Sequence, residues 1–346
     1  MPVRLLRVIL VLLLTAVVSS CRKPPGEPVF VITPGVPPSP AGLESTASPS
    51  ETIAVEQPET LQLPPAVTPS DTATAPAVPG VRVISLSIHG SLYASLEAHG
   101  CDRPDVISAH LVRCLWWRMN PWRDICAGDS LVFLYADSSE GIENQTVALH
   151  YIPVSGSAVQ PFSVYLFRKT GDNYPSYFYS DGTEIAELLN TMPISTFEEI
   201  TGVYSEPRGD HVHGGIDFKA PEGTPVRTAR GGVVSRTDWN FDNNGHCVEI
   251  AMGGGYSEIF LHLSSIAPGV APGASIAAGA PVGAVGSTGH SYAPHLHYQI
   301  NDENGYPIDP VLFFGTHQRV LDGADLTAFR AFRDRCDGMM SAGGLQ

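Results

Sequence analysis

The sequence predicts a mainly β protein in which a small α+β domain and a disordered tether precede a β-rich domain with two sheets. Three observations indicate this class. Residues 22–79 are nearly all Pro, Ser, Thr, Ala or acidic, residues 81–195 begin with two helical patterns followed by strand-like runs, and glycines separate short strand-like runs beyond residue 196. With 43% hydrophobic residues the chain can fill a core, and its length of 346 residues predicts about two domains.

The charge balance excludes one class of function. The chain has 35 acidic and 20 basic side chains, giving a formal net charge of −15. Proteins that bind nucleic acid neutralise phosphates with clustered Lys and Arg. We therefore expect no nucleic-acid partner.

The N-terminus reads as an export signal. Residues 1–20 contain two arginines, an apolar run from Val8 to Leu14 and then small residues before Cys21. This run is too short to cross a bilayer, so residues 1–20 are expected to be a cleaved signal peptide. The segment Val18-Ser-Ser-Cys21 resembles the bacterial lipobox, which implies a lipid on Cys21 and a cell-envelope protein anchored to a membrane and facing the periplasm. The alternative is an ordinary signal peptide with a chance cysteine.

The segment 21–80 is predicted to be a lipid-linked tether. Its composition cannot bury enough apolar surface to offset chain entropy, so it is expected to stay disordered. Its residues could span about 180 Å if they were fully extended as polyproline.

Residues 81–195 are predicted to form the α+β domain. A helix is expected over 91–99 because Gly100 follows it as a stop signal, and Asp105 is the expected N-cap of a second helix. Strands are then expected at Leu131–Tyr135, Thr146–Ile152, Phe162–Phe167 and Ser176–Tyr179.

Five cysteines follow Cys21, and their pairing stays open. They are Cys101, Cys114, Cys126, Cys247 and Cys336. Three of them lie within 26 residues of one another, which favours a bridge among those three in an oxidising compartment. They lack the C-x-x-C spacing of a structural zinc site, so they are not predicted to bind metal.

One short motif points to a different chemistry. Gly128-Asp-Ser-Leu131 matches the GDSL string of serine esterases, and Asp210 with His213 adds an Asp-x-x-His. The serine nucleophile of an α/β hydrolase follows a strand, whereas this one precedes a strand. A glycine-aspartate turn that opens a strand is our interpretation.

The histidines of the second half indicate a metal site. His295 and His297 alternate with Leu296, so in a strand both imidazoles lie on one face. His213 and Asp217 flank a glycine pair that lets the chain bend. Two histidines and one carboxylate leave a tetrahedral zinc with an open position, which is the catalytic arrangement.

The wider sequence resembles the LytM or lysostaphin-like zinc endopeptidases, of the murein DD-endopeptidase type. The resemblance covers about residues 200–315. Its motifs are His213-Gly-Gly-Ile-Asp217 with the following Phe-Lys-Ala-Pro-Glu-Gly-Thr-Pro-Val226, Gly283–Gly289, Pro294-His-Leu-His297 and Ile308-Asp-Pro310. More weakly, residues 84–195 resemble the domain that precedes the peptidase in Gram-negative relatives.

The resemblance implies one Zn²⁺ per chain, held by His213, Asp217 and His297, with His262 and His295 as catalytic histidines. His211 is a rival metal ligand because it would share a face with His213 in an extended segment. The implied function is hydrolysis of peptidoglycan peptide cross-links during growth or remodelling of the cell wall, by a catalytic domain over 196–316 followed by a helix and tail over 317–346. The alternative is a non-catalytic relative that activates an amidase.

Overall fold

The computed structural model describes residues 81–136, 145–209 and 211–343. The signal peptide, Cys21 and the tether predicted for 1–80 lie outside these residues. Within the described ranges, no helix combines the length and the apolar character needed to cross a membrane.

The first layer is a five-stranded antiparallel sheet with helices. Its strands pair in chain order, each with the next. They are β1 Val81–Ser87, β2 Ser130–Ala136, β3 Gln145–Ile152, β4 Phe162–Phe167 and β5 Ser176–Tyr179, and the helices α1 Leu92–Ala98, α2 Pro104–Leu115 and α3 Pro121–Asp124 connect β1 to β2. The predicted α+β character of this region is confirmed.

The starts of α1 and α2 follow different rules. Ser91 caps α1, since its side chain accepts a hydrogen bond of 3.1 Å from the Ala94 amide. The predicted cap of α2 at Asp105 is wrong, because Pro104 already occupies the first helical turn and Asp105 follows it there. Proline suits this position because its fixed φ matches a helix and its missing N–H would have no partner.

The second layer is a larger antiparallel sheet. Ten strands join into one network. Their bounds are β7 Glu199–Gly202, β10 Ile216–Lys219, β11 Pro225–Arg227, β12 Gly231–Thr237, β13 His246–Ala251, β14 Ser257–Ile266, β15 Ser275–Ala277, β16 Pro281–Val285, β17 His295–Asn301 and β18 Pro307–Ile308. The main order is β15-β12-β13-β14-β17-β10-β7, while β16 links β11 to β14 and β18 pairs with β17. The mainly β fold is confirmed, and the strands expected to form two sheets are hydrogen-bonded into this one network.

Short elements complete the chain. Two small strand pairs are β6 Leu188–Leu189 with β19 Thr316–His317, and β8 Pro207–Arg208 with β9 His211–Val212. The remaining helices are α4 Phe241–Asn244, α5 Pro310–Phe314 and α6 Gly323–Gly343. The glycine run Gly253–Gly255 joins β13 to β14 as a hairpin, since Ala251 of β13 pairs with Ser257 of β14.

Helix α6 packs on the five-stranded sheet. Phe329 and Phe332 are buried in one cluster with Phe167 and Phe178 of strands β4 and β5. The sheet therefore carries apolar side chains on both faces, with α1 and α2 covering the other face through residues such as Leu96 and Leu111.

The GDSL string is a structural turn. Ser130 is the first residue of β2, and the fully buried Asp129 before it accepts hydrogen bonds from the Cys126 and Val154 amides and the Tyr151 hydroxyl. Asp210 lies outside the described residues. A carboxylate bonded in this way fixes the turn that opens the strand, as interpreted from the sequence.

Among the cysteines that the structure describes, four are free thiols, namely Cys101, Cys114, Cys247 and Cys336. Because Cys101 and Cys114 are both free, the bridge favoured among the three closely spaced cysteines is not formed. Burial raises the pKa of the Cys114 thiol to about 12, which keeps it protonated as a small apolar core residue.

Candidate metal centre and its groove

Strand register positions the residues that the sequence singled out. Strands β10 and β17 pair so that Asp217 lies opposite His297 and Lys219 lies opposite His295. Leu296 between the two histidines is fully buried, as the alternation predicts. One face of this sheet thus presents two neighbouring rows of polar side chains, His297 with Asp217 and His295 with Lys219.

The loop that carries His213 approaches β17 closely. A Cβ atom on Gly215 would lie 2.3 Å from the Tyr298 carbonyl oxygen, and one on Gly214 would lie 2.7 Å from Gln299 Oε1. The glycine pair of the His-Gly-Gly-Ile-Asp motif is therefore required by backbone proximity. It lets His213 fold back over Asp217.

His213, Asp217 and His297 converge on one point. His213 Nε2 lies 3.1 Å from Asp217 Oδ1 and 2.9 Å from His297 Nδ1, and His297 Nδ1 lies 3.0 Å from Asp217 Oδ1. All three side chains are buried, with exposures of 4%, 4% and 7%. The three residues that the sequence grouped as ligands are together in the structure and could hold a metal ion.

Acceptors behind the two histidines fix their tautomers. The Nδ1 of His213 lies 2.9 Å from the Val203 carbonyl oxygen, and the Nε2 of His297 lies 3.2 Å from Gln299 Oε1. An oxygen of this kind only accepts, so each of these nitrogens carries the proton and the other ring nitrogen keeps its lone pair. Gln299 is itself oriented by its amide, which donates to Asn301 Oδ1 at 2.6 Å.

The donor set fits zinc. Two imidazole lone pairs and a carboxylate oxygen face one another at about 3 Å, an arrangement that repels unless a cation lies between them. Donor atoms around a tetrahedral zinc, with bonds of about 2.0–2.1 Å, lie roughly 3.3 Å apart. Nitrogen and carboxylate donors with hydrogen-bonded outer atoms are the typical surroundings of zinc in proteins.

Arg208 holds the outer oxygen of Asp217. Its Nη2 lies 2.7 Å from Asp217 Oδ2 and 3.1 Å from Glu206 Oε2. Arg208 is a cationic donor, and its hydrogen bond favours the ionised form of this carboxylate. The carboxylate therefore stays ionised, with one oxygen bound to Arg208 and the other directed at the metal position.

Gly202 makes room for this contact. A Cβ atom there would lie 2.3 Å from Arg208 Nη2, 2.5 Å from Asp217 Oδ2 and 3.0 Å from His213 Cε1. Gly202 belongs to β7 and lies opposite Asp217. Sequence reasoning missed both Gly202 and Arg208, because they precede the recognised motif. Gly202 meets Asp217 through strand pairing, and Arg208 meets it from strand β8.

His262 and His295 form a second pair beside the metal position. Their ring centroids are 4.7 Å apart, and His295 Nε2 lies 3.9 Å from Asp217 Oδ1. The Nδ1 of His262 lies 2.9 Å from the Thr288 carbonyl oxygen, and the Nδ1 of His295 lies 2.8 Å from the Ala293 carbonyl oxygen. In each ring Nδ1 is the protonated nitrogen, so Nε2 is free to accept a proton.

His262 has an unusual backbone. Its φ of +63° lies in the left-handed region, which costs a residue with a side chain roughly 1–3 kcal/mol. It stands where β14 leaves its pairing with β17, at Leu261, and begins pairing with β16, at Leu263. Burial first, and then nearby His295, lowers the pKa of His262 to about 4, so the imidazole stays neutral near pH 7.

The other histidines lie apart from this cluster. His246 lies 3.0 Å from Asp238, His290 contacts the Tyr292 ring and His317 lies 3.2 Å from Asn190. His211, the rival ligand, lies in the exposed β9 and lines the surrounding groove without joining the three-residue cluster.

A groove of about 590 Å³ opens over both histidine pairs. Its lining includes Arg208, Thr201 and Lys219 on one side. On another side, the loop before β17 presents Tyr292, which is 94% exposed. The groove thus gives an extended chain access to the buried metal position.

Comparison with known proteins agrees with this site. Residues 211–310 match the model of peptidase family M23. The chain is 37% identical over 131 residues to a protein named DD-carboxypeptidase/endopeptidase Mpg from Neisseria meningitidis, covering 38% of this chain and 29% of the relative. It is 34% identical over 224 residues to peptidoglycan DD-endopeptidase ShyA from Vibrio cholerae, covering 62% of this chain and 49% of the relative.

A solved structure covers the same region. The catalytic domain of the antimicrobial peptidase lysostaphin from Staphylococcus simulans is 32% identical, with a TM-score of 0.30. The match covers 33% of this chain and 88% of that domain. The chain spans less than half the length of the two curated relatives above.

The substitution Gly202→Ala tests the support of the metal position. The new methyl group should push Arg208 and Asp217 apart and lower zinc affinity at least about tenfold, while the sheet still folds. Zinc affinity is measured by competition with a chromogenic chelator. Gly253→Ala is the matched control, because a Cβ there has nothing within 4 Å and Gly253 has no positive φ. Equal zinc affinity in both variants would contradict the account of Gly202.

Proposed function

We propose, since the chain belongs to peptidase family M23, that it is a zinc-dependent endopeptidase that hydrolyses the peptide cross-links of peptidoglycan. The observation that carries the proposal is the convergence of two imidazole lone pairs and one carboxylate oxygen, with a second histidine pair beside them. The names of the relatives, which include a peptidoglycan DD-endopeptidase, support the same substrate class.

In this proposal the zinc ligands are His213 Nε2, Asp217 Oδ1 and His297 Nδ1. Val203, Arg208 and Gln299 act behind them by fixing tautomers and carboxylate orientation. Such outer contacts raise metal affinity and restrict the ligands to one geometry. Bound zinc would supply Lewis-acid polarisation of the scissile carbonyl and would make an attacking water more acidic.

His262 and His295 are the proposed catalytic residues. Each donates its Nδ1 proton to a backbone carbonyl, which leaves Nε2 directed at the groove. A neutral imidazole can take a proton from the attacking water and return one to the departing amine, and a neighbouring imidazolium can stabilise the oxyanion. The low pKa of His262 keeps it in the accepting form near pH 7.

The domain organisation proposed from the sequence assigns catalysis to residues 196–316 and an accessory role to residues 81–195. The packing of Phe329 and Phe332 supports grouping the C-terminal helix with the accessory layer. All three zinc ligands are intact, a feature that favours an enzyme over a non-catalytic amidase activator.

The predicted anchor completes the proposal. A lipid on Cys21 and the segment 21–80 would let the enzyme reach the wall from a membrane, facing the periplasm. Mass spectrometry of the protein extracted from envelopes is expected to find an acylated N-terminal peptide that begins at Cys21. A free, unmodified N-terminus would contradict the lipid anchor.

The catalytic assignment is tested with His295→Ala in the full chain. Loss of a general acid or base costs about 10²–10⁴-fold in rate. The variant is therefore expected to release uncross-linked fragments from purified peptidoglycan at least a hundredfold more slowly, while it still binds about one zinc. His317→Ala is the matched control, because His317 is exposed and lies outside the groove.

The pattern of results separates the alternatives. Equal digestion by the wild type and His295→Ala would contradict the role of His295. A wild type that binds zinc but cuts no peptidoglycan would contradict the endopeptidase and favour the amidase activator, which would then be tested by adding an amidase.

A further inference from the structure

A second cavity lies between the two layers, about 430 Å³ in volume. Helix α2 and strand β5 line it from the accessory side, and β7 and the end of β10 line it from the peptidase side. Thr201 and Lys219 line both this cavity and the groove over the metal position. The two spaces are therefore adjacent.

Sheet register links the cavity to the catalytic pair. Lys219 lies opposite His295 on β17 and opposite Glu199 on β7. Glu199 in turn accepts a hydrogen bond from the Nε of Arg113 at 2.9 Å. Three side chains of alternating charge, Lys219, Glu199 and Arg113, thus connect His295 to helix α2.

Arg113 has unused hydrogen-bonding capacity. Its side chain is only 18% exposed, and its Nε–H is paired with Glu199. Among the described residues, neither of its Nη groups makes a hydrogen bond. A guanidinium with two free Nη groups at a cavity wall is suited to bidentate binding of a carboxylate.

The acidic groups that line the cavity are already paired, so they leave Arg113 able to bind an anionic group on a ligand. Lys219 lies 2.9 Å from Glu198, Arg113 pairs with Glu199 and Arg319 pairs with Glu184. His110 makes no hydrogen bond to any described residue and faces the same cavity. Burial first, and then Arg113 and Lys219, lower the pKa of His110 to about 4, so this imidazole stays neutral near pH 7.

The distance suits a peptide that is cut at the metal position. Two residues along β10 and one strand spacing separate Asp217 from Glu199, which places Arg113 roughly 10–15 Å from the metal position. An extended peptide covers that distance in three or four residues. The peptide stems of peptidoglycan are of this length and carry free carboxylates.

We propose that this cavity is a substrate subsite in which Arg113 binds a carboxylate of the stem peptide, three or four residues from the scissile bond. The inference rests on the proposed function and deepens it. It makes the accessory layer part of substrate recognition and makes Arg113 a specificity-determining residue. The occupant is an acidic peptide. Its carboxylate binds Arg113 either beside Glu199 or in place of Glu199.

The experiment compares two soluble cross-linked muropeptide dimers, one with free carboxylates and one with those carboxylates amidated. For the full zinc-loaded chain, Arg113→Gln should raise both Kd and KM for the free-carboxylate dimer about tenfold, leave kcat within twofold and leave the amidated dimer unaffected. Arg113→Lys should restore part of the loss. Calorimetry gives Kd independently of cleavage.

Glu199→Gln distinguishes a subsite from a structural clamp. If Arg113 binds the ligand, removing the Glu199 carboxylate should leave Kd for the free-carboxylate dimer unchanged or lower it. If the Arg113–Glu199 pair only holds α2 against β7, Glu199→Gln and Arg113→Gln should weaken binding alike. Arg123→Gln is the matched control, since Arg123 pairs with Asp124 on the surface and does not line the cavity. Melting temperatures check that each variant is folded.

The two proposals fail differently. If the wild type binds the free-carboxylate dimer more tightly than the amidated one through Arg113 but cuts neither, the subsite stands and the endopeptidase fails. If the wild type cuts and binds both dimers equally well, or if Arg113→Gln has no effect on Kd, the subsite is overturned.

Discussion

The structure depends on holding three electron-pair donors within about 3 Å of one another in a buried place. Without a cation these donors repel one another, and they are His213 Nε2, His297 Nδ1 and Asp217 Oδ1. The fold must therefore offset this repulsion to keep them close. The antiparallel register of β10 and β17 keeps Asp217 beside His297, and the glycine pair keeps His213 beside both. Val203, Arg208 and Gln299 then fix which atom of each ligand is presented.

This constraint explains several local features that are unfavourable by themselves. Gly202 and Gly215 allow approaches that any side chain would block. His262 accepts a left-handed backbone where its strand changes partners, and that conformation directs its ring beside His295. The hydrophobic core of the larger sheet stabilises these conformations. Phe218 and the fully buried Phe260 belong to this core.

Sequence patterns predicted the site better than its support. Strand alternation identified His295 and His297, and the glycine pair identified His213 with Asp217. His262 was assigned only through the family resemblance. Gln299 lies on the same face two residues beyond His297, so alternation could also have identified it. Arg208 and Gly202 could not be found in this way, since their contacts arise from strand pairing between segments whose register the sequence does not reveal.

The fold shows a similar division. Local rules predicted the strands β2 to β5 and the first helix, because each depends on neighbouring residues. The packing of Phe329 against the five-stranded sheet was missed, since an amphipathic helix shows that it has an apolar face and not which layer covers it. The Arg113–Glu199 contact, 86 residues apart in sequence, is long-range in the same sense.

The measurement that tests the account most directly is zinc K-edge X-ray absorption of the zinc-loaded chain. The account predicts nitrogen and oxygen neighbours at about 2.0–2.1 Å, with outer-shell scattering from two imidazoles. A sulfur shell near 2.3 Å, which would place the zinc on cysteine, or a spectrum without imidazole scattering would contradict it.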